Sequence, residues 1–231
     1  MKILKNKIFI ALDCNLRKAK SIIKAIPKKK VKNYVFIPKI GYQIFFAKGG
    51  REFINSLKKY DVFLDAKLHD IENTMKNAMI SIKDLKNVKY ITVHLSSGSK
   101  GVKAVKKFAY GKKILGVTTL TNLDNKSIKE VGHTKEIGQL IMQQAKIAKK
   151  LGCYGVICSG KESLKINKIY KLKTITPGIR LPGDKKNDQK RVTTPKDAFF
   201  KQNAYGIVIG RSVTSGNLKN NFKKLLKHLE R

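Results

Sequence analysis

Short apolar runs rich in Ile, Val, Tyr and Phe alternate along the chain with longer stretches whose apolar positions recur every three or four residues. The short runs, at residues 8–12, 34–38, 62–66, 90–93, 113–118, 154–158, 174–176 and 206–209, predict buried strands. Helical spacing follows most of them. Leu16, Ala19, Ile22 and Ile23 mark one face of a helix over 15–25 that Pro27 stops. Further helices are predicted to about residue 57 (broken at Gly49-Gly50), over 71–85, to about 108, over 135–151, in a short segment after the sixth strand, over 195–201 and over 218–229.

Strand–helix alternation implies a parallel sheet, and eight such units within 231 residues imply a closed (β/α)8 TIM barrel, an α/β fold in one domain spanning 1–231. An open doubly wound sheet is the alternative. It would carry a glycine-rich turn after the first strand, where this chain has Asp13-Cys14-Asn15.

The polar residues fall at or just beyond the strand C-termini: Asp13, Lys39, Asp65 with Lys67, His94, Thr119 with Thr121, Ser159, Arg180 and Arg211. In a barrel these positions form one ring around one mouth, where such folds place their chemistry. The third strand is the focus. Asp65 and Lys67 are two apart, so an extended backbone points both side chains to one face. Asp70 can start a helix, and Thr74, four residues on, would share its face. The bland reading makes Asp70 an N-cap and Asp65–Lys67 an inconsequential ion pair. The full ring of polar strand tips argues against it.

Composition changes this picture little. The formal net charge is +36, which usually points to a polyanionic partner. Here 45 lysines and only six arginines are spread through every segment, without interleaved stacking aromatics, so the reading is no nucleic acid. A positive field still favours capture of a small anion. No apolar run is long enough for a membrane span, and the basic-then-apolar start runs straight into Ala11-Leu12-Asp13 as a strand would. Cys14, Cys153 and Cys158 are odd in number and lack zinc-type spacing, which fits a reducing, cytoplasmic setting.

The seventh and eighth strand ends suggest an anion site. Gly210 and Arg211 offer backbone N–H groups and a guanidinium, and Gln189 and Arg191 lie in the polar loop after strand seven, which could fold over a bound anion. Arg191 taken alone reads as a solvated loop residue.

Asp-Ala-Lys-Leu-His-Asp-Ile at 65–71, with Thr74, resembles the Asp-x-Lys-x-x-Asp-Ile-x-x-Thr signature of orotidine 5′-phosphate decarboxylases. So do Ala-Leu-Asp at 11–13, Lys39-Ile-Gly, Pro177-Gly-Ile-Arg, Asp188-Gln-x-Arg and Val208-Ile-Gly-Arg211, in the family's order across the whole chain. The resemblance implies decarboxylation of orotidine 5′-monophosphate (OMP) to UMP, the last step of pyrimidine biosynthesis, without metal or organic cofactor. Lys67 would donate the proton to ring carbon 6, with Asp65 and Asp70 flanking it and Lys39 extending the charge network. Asp13 and Lys39 would reach the ribose. Thr121 and Asn122 would face the pyrimidine, where the family usually has serine in place of this asparagine. Arg180, Gln189, Gly210 and Arg211 would serve the phosphate. The resemblance also implies a homodimer in which Asp70 and Thr74 reach into the partner's site. His94 is read as a hydrogen-bonded structural residue.

Two rivals remain at this level. A sugar-phosphate decarboxylase or aldolase shares the Asp-Lys-Asp core but usually binds Mg²⁺ through acidic strand ends, and here Lys39 and His94 stand where oxygen ligands would be needed. A non-catalytic nucleic-acid binder would show steep salt dependence and indifference to Lys67→Ala.

Overall fold

The computed structural model describes residues 6–27, 31, 33–184 and 191–230. Eight parallel strands close into a barrel in chain order, the last pairing back onto the first. They are β1 (Asn6–Ala11), β2 (Tyr34–Ile40), β3 (Val62–Leu68), β4 (Val88–His94), β5 (Lys113–Val117), β6 (Gly155–Ile157), β7 (Lys173–Thr176) and β8 (Gly206–Ile209). Between them run α1 (Leu16–Ala25), α2 (Tyr42–Phe45), α3 (Gly50–Ser56), α4 (Glu72–Ser81), α5 (Gly98–Lys107), α6 (Asn125–Glu130), α7 (Ile137–Lys150) and α8 (Gly160–Tyr170); α9 (Arg211–Thr214) and α10 (Leu218–Glu230) follow β8. Among the described residues no helix is long and apolar enough to cross a membrane.

Local chemistry explains most boundaries. The Asn15 side chain accepts the N–H of Lys18 at 2.9 Å and caps α1, whose Ala19 and Ile22 are buried against the barrel. The break expected at Gly49-Gly50 separates α2 from α3, with Gly49 at φ +79°. Two expectations need correction. The helix predicted over 71–85 is only α4, because Ile82 and Leu85 turn inward as buried residues past its end. The stretch before α7 is not simply a loop, since Asp124 accepts the N–H of Ser127 at 3.0 Å and caps α6. Over 195–201 the chain forms a π-helical turn, Asp197–Lys201.

The core has two parts. The larger one lies between the strands and the surrounding helices. The smaller one fills the barrel itself with Phe9, Ile37, Phe63, Tyr90, Leu115 and Ile175. Phe9 packs edge-on against Phe63 and Tyr90, with ring centroids 5.0 and 5.3 Å apart. Below that layer the hydroxyls of Tyr154 and Tyr205 meet at 2.8 Å, under the ammonium groups of Lys113 and Lys173. Above it, the two-residue strand period brings Ala11, Lys39, Asp65, Thr92 and Val117 to the same inward side. A dry aromatic floor therefore carries a polar layer directly above it.

Candidate active site

That polar layer is an alternating line of charge. Lys39 Nζ lies 3.3 Å from Asp13 Oδ1 and 3.1 Å from Asp65 Oδ2, and Lys67 Nζ lies 2.9 Å from the same Asp65 oxygen. The Lys39 and Asp65 side chains are only 8% and 12% exposed, so the pair is held away from bulk water. Lys67 is more open and reaches over the ring of Tyr42, 5.4 Å from its centroid. Burial alone would pull the Lys39 ammonium down, but the carboxylates of Asp65 and Asp13 outweigh it and hold its pKa above the ordinary 10.5. Burial would likewise raise Asp65, and the two lysines overcome this to hold it below 3.8.

The juxtaposition of Asp65 and Lys67 does not arise from an extended strand. Lys67 has φ +44°, in the left-handed region that non-glycine residues rarely enter. Between Leu64 and Leu68 the register against β4 slips, so that this segment faces only Ile91 to Val93. Such a bulge re-aims a side chain, here the ammonium of Lys67, toward the centre of the mouth. The turn is held by Thr92, a residue the strand-tip reasoning misses. Its buried hydroxyl accepts the N–H of Lys67 at 2.8 Å and donates to Asp65 Oδ1 at 3.0 Å. The signal lies in the sequence: Thr92 stands two residues beyond the barrel-filling Tyr90, on the same inward parity as Asp65 two beyond Phe63.

A cavity of about 450 Å³ opens above this line. Of the polar residues singled out in the sequence, Asp13, Lys39, Asp65, Lys67, Thr119, Thr121, Arg180 and Arg211 line it, together with Gly210. Arg180, Gly210 and Arg211 thus face the same chamber as the charged line. Arg180 is almost fully buried and donates from Nη1 to the carbonyl of Ile179 at 2.9 Å, while Gly210 precedes α9, which Arg211 begins. Gln189, with Asp188, lies outside the described residues. Asn122 sits exposed on the rim and does not line the cavity.

Arg191 corrects the solvated-loop reading. Its side chain is 12% exposed and pairs with Glu162 at 2.9 Å. His94 sits as expected for a structural histidine, with Nδ1 2.8 Å from the Ser96 hydroxyl and its ring stacked on His69 at 5.3 Å. Burial, with help from His69 and Lys67, holds it below 6.5 and so neutral at pH 7. Asp70 and Thr74 are exposed, and among the described residues the carboxylate paired with Lys67 is Asp65. Asp70 does not cap α4 either: the N-cap is Ile71, whose N–H the Asp70 carboxylate accepts at 2.7 Å. Tyr42, Phe46 and Ile71 leave apolar surface exposed, Phe46 and Ile71 at 75% and 71%. No group of three or more His, Cys, Asp or Glu side chains is arranged to hold a metal ion among the described residues.

Residues 6–223 match the orotidine 5′-phosphate decarboxylase / HUMPS family. The orotidine 5′-phosphate decarboxylase of Buchnera aphidicola subsp. Schizaphis graminum is 39% identical over 228 residues, covering 95% of this chain and 92% of the relative. The crystal structure of that enzyme from Lactobacillus acidophilus superposes with a TM-score of 0.82 at 28% identity, over 98% of this chain and 100% of the other. The orotidine 5′-monophosphate decarboxylase of Methanocaldococcus jannaschii, complexed with inhibitor BMP, superposes with a TM-score of 0.74 at 25% identity, over 99% and 100%. A closed barrel, a lysine-carboxylate line at its mouth and a match across almost the whole length agree: this chain belongs to the orotidine 5′-phosphate decarboxylase / HUMPS family.

Proposed function

We propose that the protein decarboxylates OMP to UMP, acting as one domain over residues 1–231. The observation that carries this reading is the position of Lys39. Its ammonium lies between the carboxylates of Asp13 and Asp65, so a fixed cation already stands between the acidic side chains that a Mg²⁺-dependent site would need as oxygen ligands. The carboxylates at this mouth are thus already matched by fixed positive charge. The relatives' names point the same way.

In this reading Arg180, Gly210 and Arg211, with Gln189, hold the phosphate, and the pyrimidine lies toward Lys67 with Thr121 and Asn122 at its edge. Asp13 and Lys39 take the ribose hydroxyls. The bond between ring carbon 6 and the carboxylate breaks, carbon dioxide leaves, and the electron pair stays on carbon 6. The Lys67 ammonium stabilises that carbanion, then gives it a proton, forming UMP; the resulting amine regains a proton from water. Asp65, fixed by Lys39 and Thr92, keeps Lys67 aimed. Phosphate binding, remote from the breaking bond, supplies energy for positioning at the base.

The proposed assembly is a homodimer, with Asp70 and Thr74 of each subunit completing the other's site. The exposed Tyr42, Phe46 and Ile71 supply apolar surface for such a contact. Three free thiols and a biosynthetic role fit the cytoplasm. The test is UMP formation from OMP in the presence of EDTA, beside Lys67→Ala and Arg211→Ala. Lys67→Ala should abolish turnover and Arg211→Ala should raise KM. A folded but inactive wild-type protein overturns the proposal.

A further inference from the structure

Arg191 makes three directed contacts that neither the charged line nor the phosphate end accounts for. Nε donates to the carbonyl of Thr121 at 3.2 Å and Nη2 to that of Leu120 at 3.3 Å. Nη1 donates to Glu162 Oε1 at 2.9 Å. The other Glu162 oxygen accepts the hydroxyl of Ser159, just beyond β6. Both charged side chains are largely buried. The guanidinium therefore ties two consecutive carbonyls of the loop after β5 to the first turn of α8 and the end of β6.

The residue before those carbonyls is held from the other side. Gln144, buried on α7, accepts both the N–H and the hydroxyl of Thr119, at 2.8 and 3.1 Å. Residues 119–121 are thus fixed by a helix on one flank and by Arg191 on the other, although they form no regular element. Thr119, Leu120 and Thr121 line the cavity and Arg191 does not. Its rigid planar fork suits this task in a way a lysine's single ammonium would not.

We propose that Arg191, braced by Glu162, is a positioning residue that sets the Leu120–Thr121 backbone and so places Thr121 against the pyrimidine. This rests on the reading of that segment as facing the base. A buried Arg–Glu pair could instead be structural only, and the two roles separate experimentally. Arg191→Met should raise KM for OMP about tenfold or more, with kcat changed less, because small displacements of positioning groups cost affinity. It should also lower the melting temperature, since Glu162 is left buried without its counter-charge.

The double variant Arg191→Met/Glu162→Gln should regain the melting temperature while KM stays raised. Glu162→Gln alone keeps an acceptor for Nη1 and should leave KM within about twofold. Recovery of KM together with melting temperature in the double variant overturns the proposal, as does an unchanged KM in Arg191→Met. Thr121→Ala is the control. If it raises KM and Arg191→Met does not, the bracing role alone fails; if neither variant raises KM, the base-facing reading fails and the proposal with it.

Discussion

The hydroxyl of Thr92 accepts the backbone N–H of Lys67 at 2.8 Å, and through it the conformation of the proposed proton donor depends on a neighbouring strand. Lys67 sits at φ +44°, a conformation that persists only where its surroundings impose it. The same hydroxyl donates to Asp65, so one buried side chain fixes both the backbone of Lys67 and the carboxylate that aims it. Thr92→Val keeps the shape and removes both bonds. It should cost about 1–3 kcal/mol in denaturant unfolding, the penalty for unsatisfied buried polar groups. It should also lower kcat more than it raises KM. Thr92→Ser should restore both quantities.

Lys39 and Asp65 are the most buried members of the charged line. Removing one charge strands the other, so Lys39→Met should lower stability by roughly 3–5 kcal/mol, as breaking a buried pair does. Lys67 remains as a counter-charge to Asp65, which places the expected loss at the lower end of that range. Thermal melts of the wild type and the variant check this. A variant as stable as the wild type would show that the pair is not dry.

The same pair sets a pH window. Lys39 is raised above 10.5 in the folded chain, so its contribution is fully present below that pH and is lost as pH rises through the folded value. Asp65 is lowered below 3.8, so its contribution is present above that pH and is lost as pH falls through its folded value. Between these limits this pair should leave stability flat. His94 adds a weaker acid limb. Held below 6.5, it resists protonation that the unfolded chain accepts, so stability should begin to fall as pH drops below about 6.5. His94→Gln should shrink that early limb in melts followed against pH, the remainder belonging to His228, which burial also holds below 6.5, and leave the limb below 3.8.

Gly41 is kept open by its neighbours. A Cβ built there would stand 2.8 Å from Asp13 Oδ1 and 3.7 Å from Lys39 Nζ. Gly41→Ala must therefore push Asp13 away from Lys39. Because Asp13 is an exposed, movable carboxylate, the fold should lose less than about 1 kcal/mol, in the range of ordinary surface changes. Substrate affinity should suffer more, with KM raised severalfold and kcat altered less.

The barrel was legible in the sequence because its strands are buried on both faces and each ends in a polar tip. That pattern needs no knowledge of packing. It located Asp13, Lys39, Asp65, Lys67, Arg180 and Arg211 around one cavity. It missed Thr92, whose short polar side chain sits inside an apolar run and matters only through its partners across the strand pair. It misjudged the cause of the Asp65–Lys67 contact, because a bulge between β3 and β4 leaves no mark in the order of residues. Arg191 read as solvated for a similar reason: its partners are 29 and about 70 positions away, brought together only by closure of the barrel.

The exposed Asp70 and Thr74 pose the last test. Both are exposed, and Ile71, which follows Asp70, and Phe46 leave apolar surface open to solvent at 71% and 75%. If each subunit lends Asp70 to its partner, Lys67→Ala and Asp70→Ala homodimers are both inactive for different reasons. Dissociating and mixing them in equal amounts yields mixed dimers. Each contains one site with both defects and one site with neither, so about a quarter of all sites should recover. Phe46→Asp should weaken the contact and make activity depend on protein concentration, followed by light scattering at the same dilutions. No recovery from mixing, with exchange shown by a mass-tagged subunit, would place Asp70 in its own subunit's chemistry or outside the chemistry altogether.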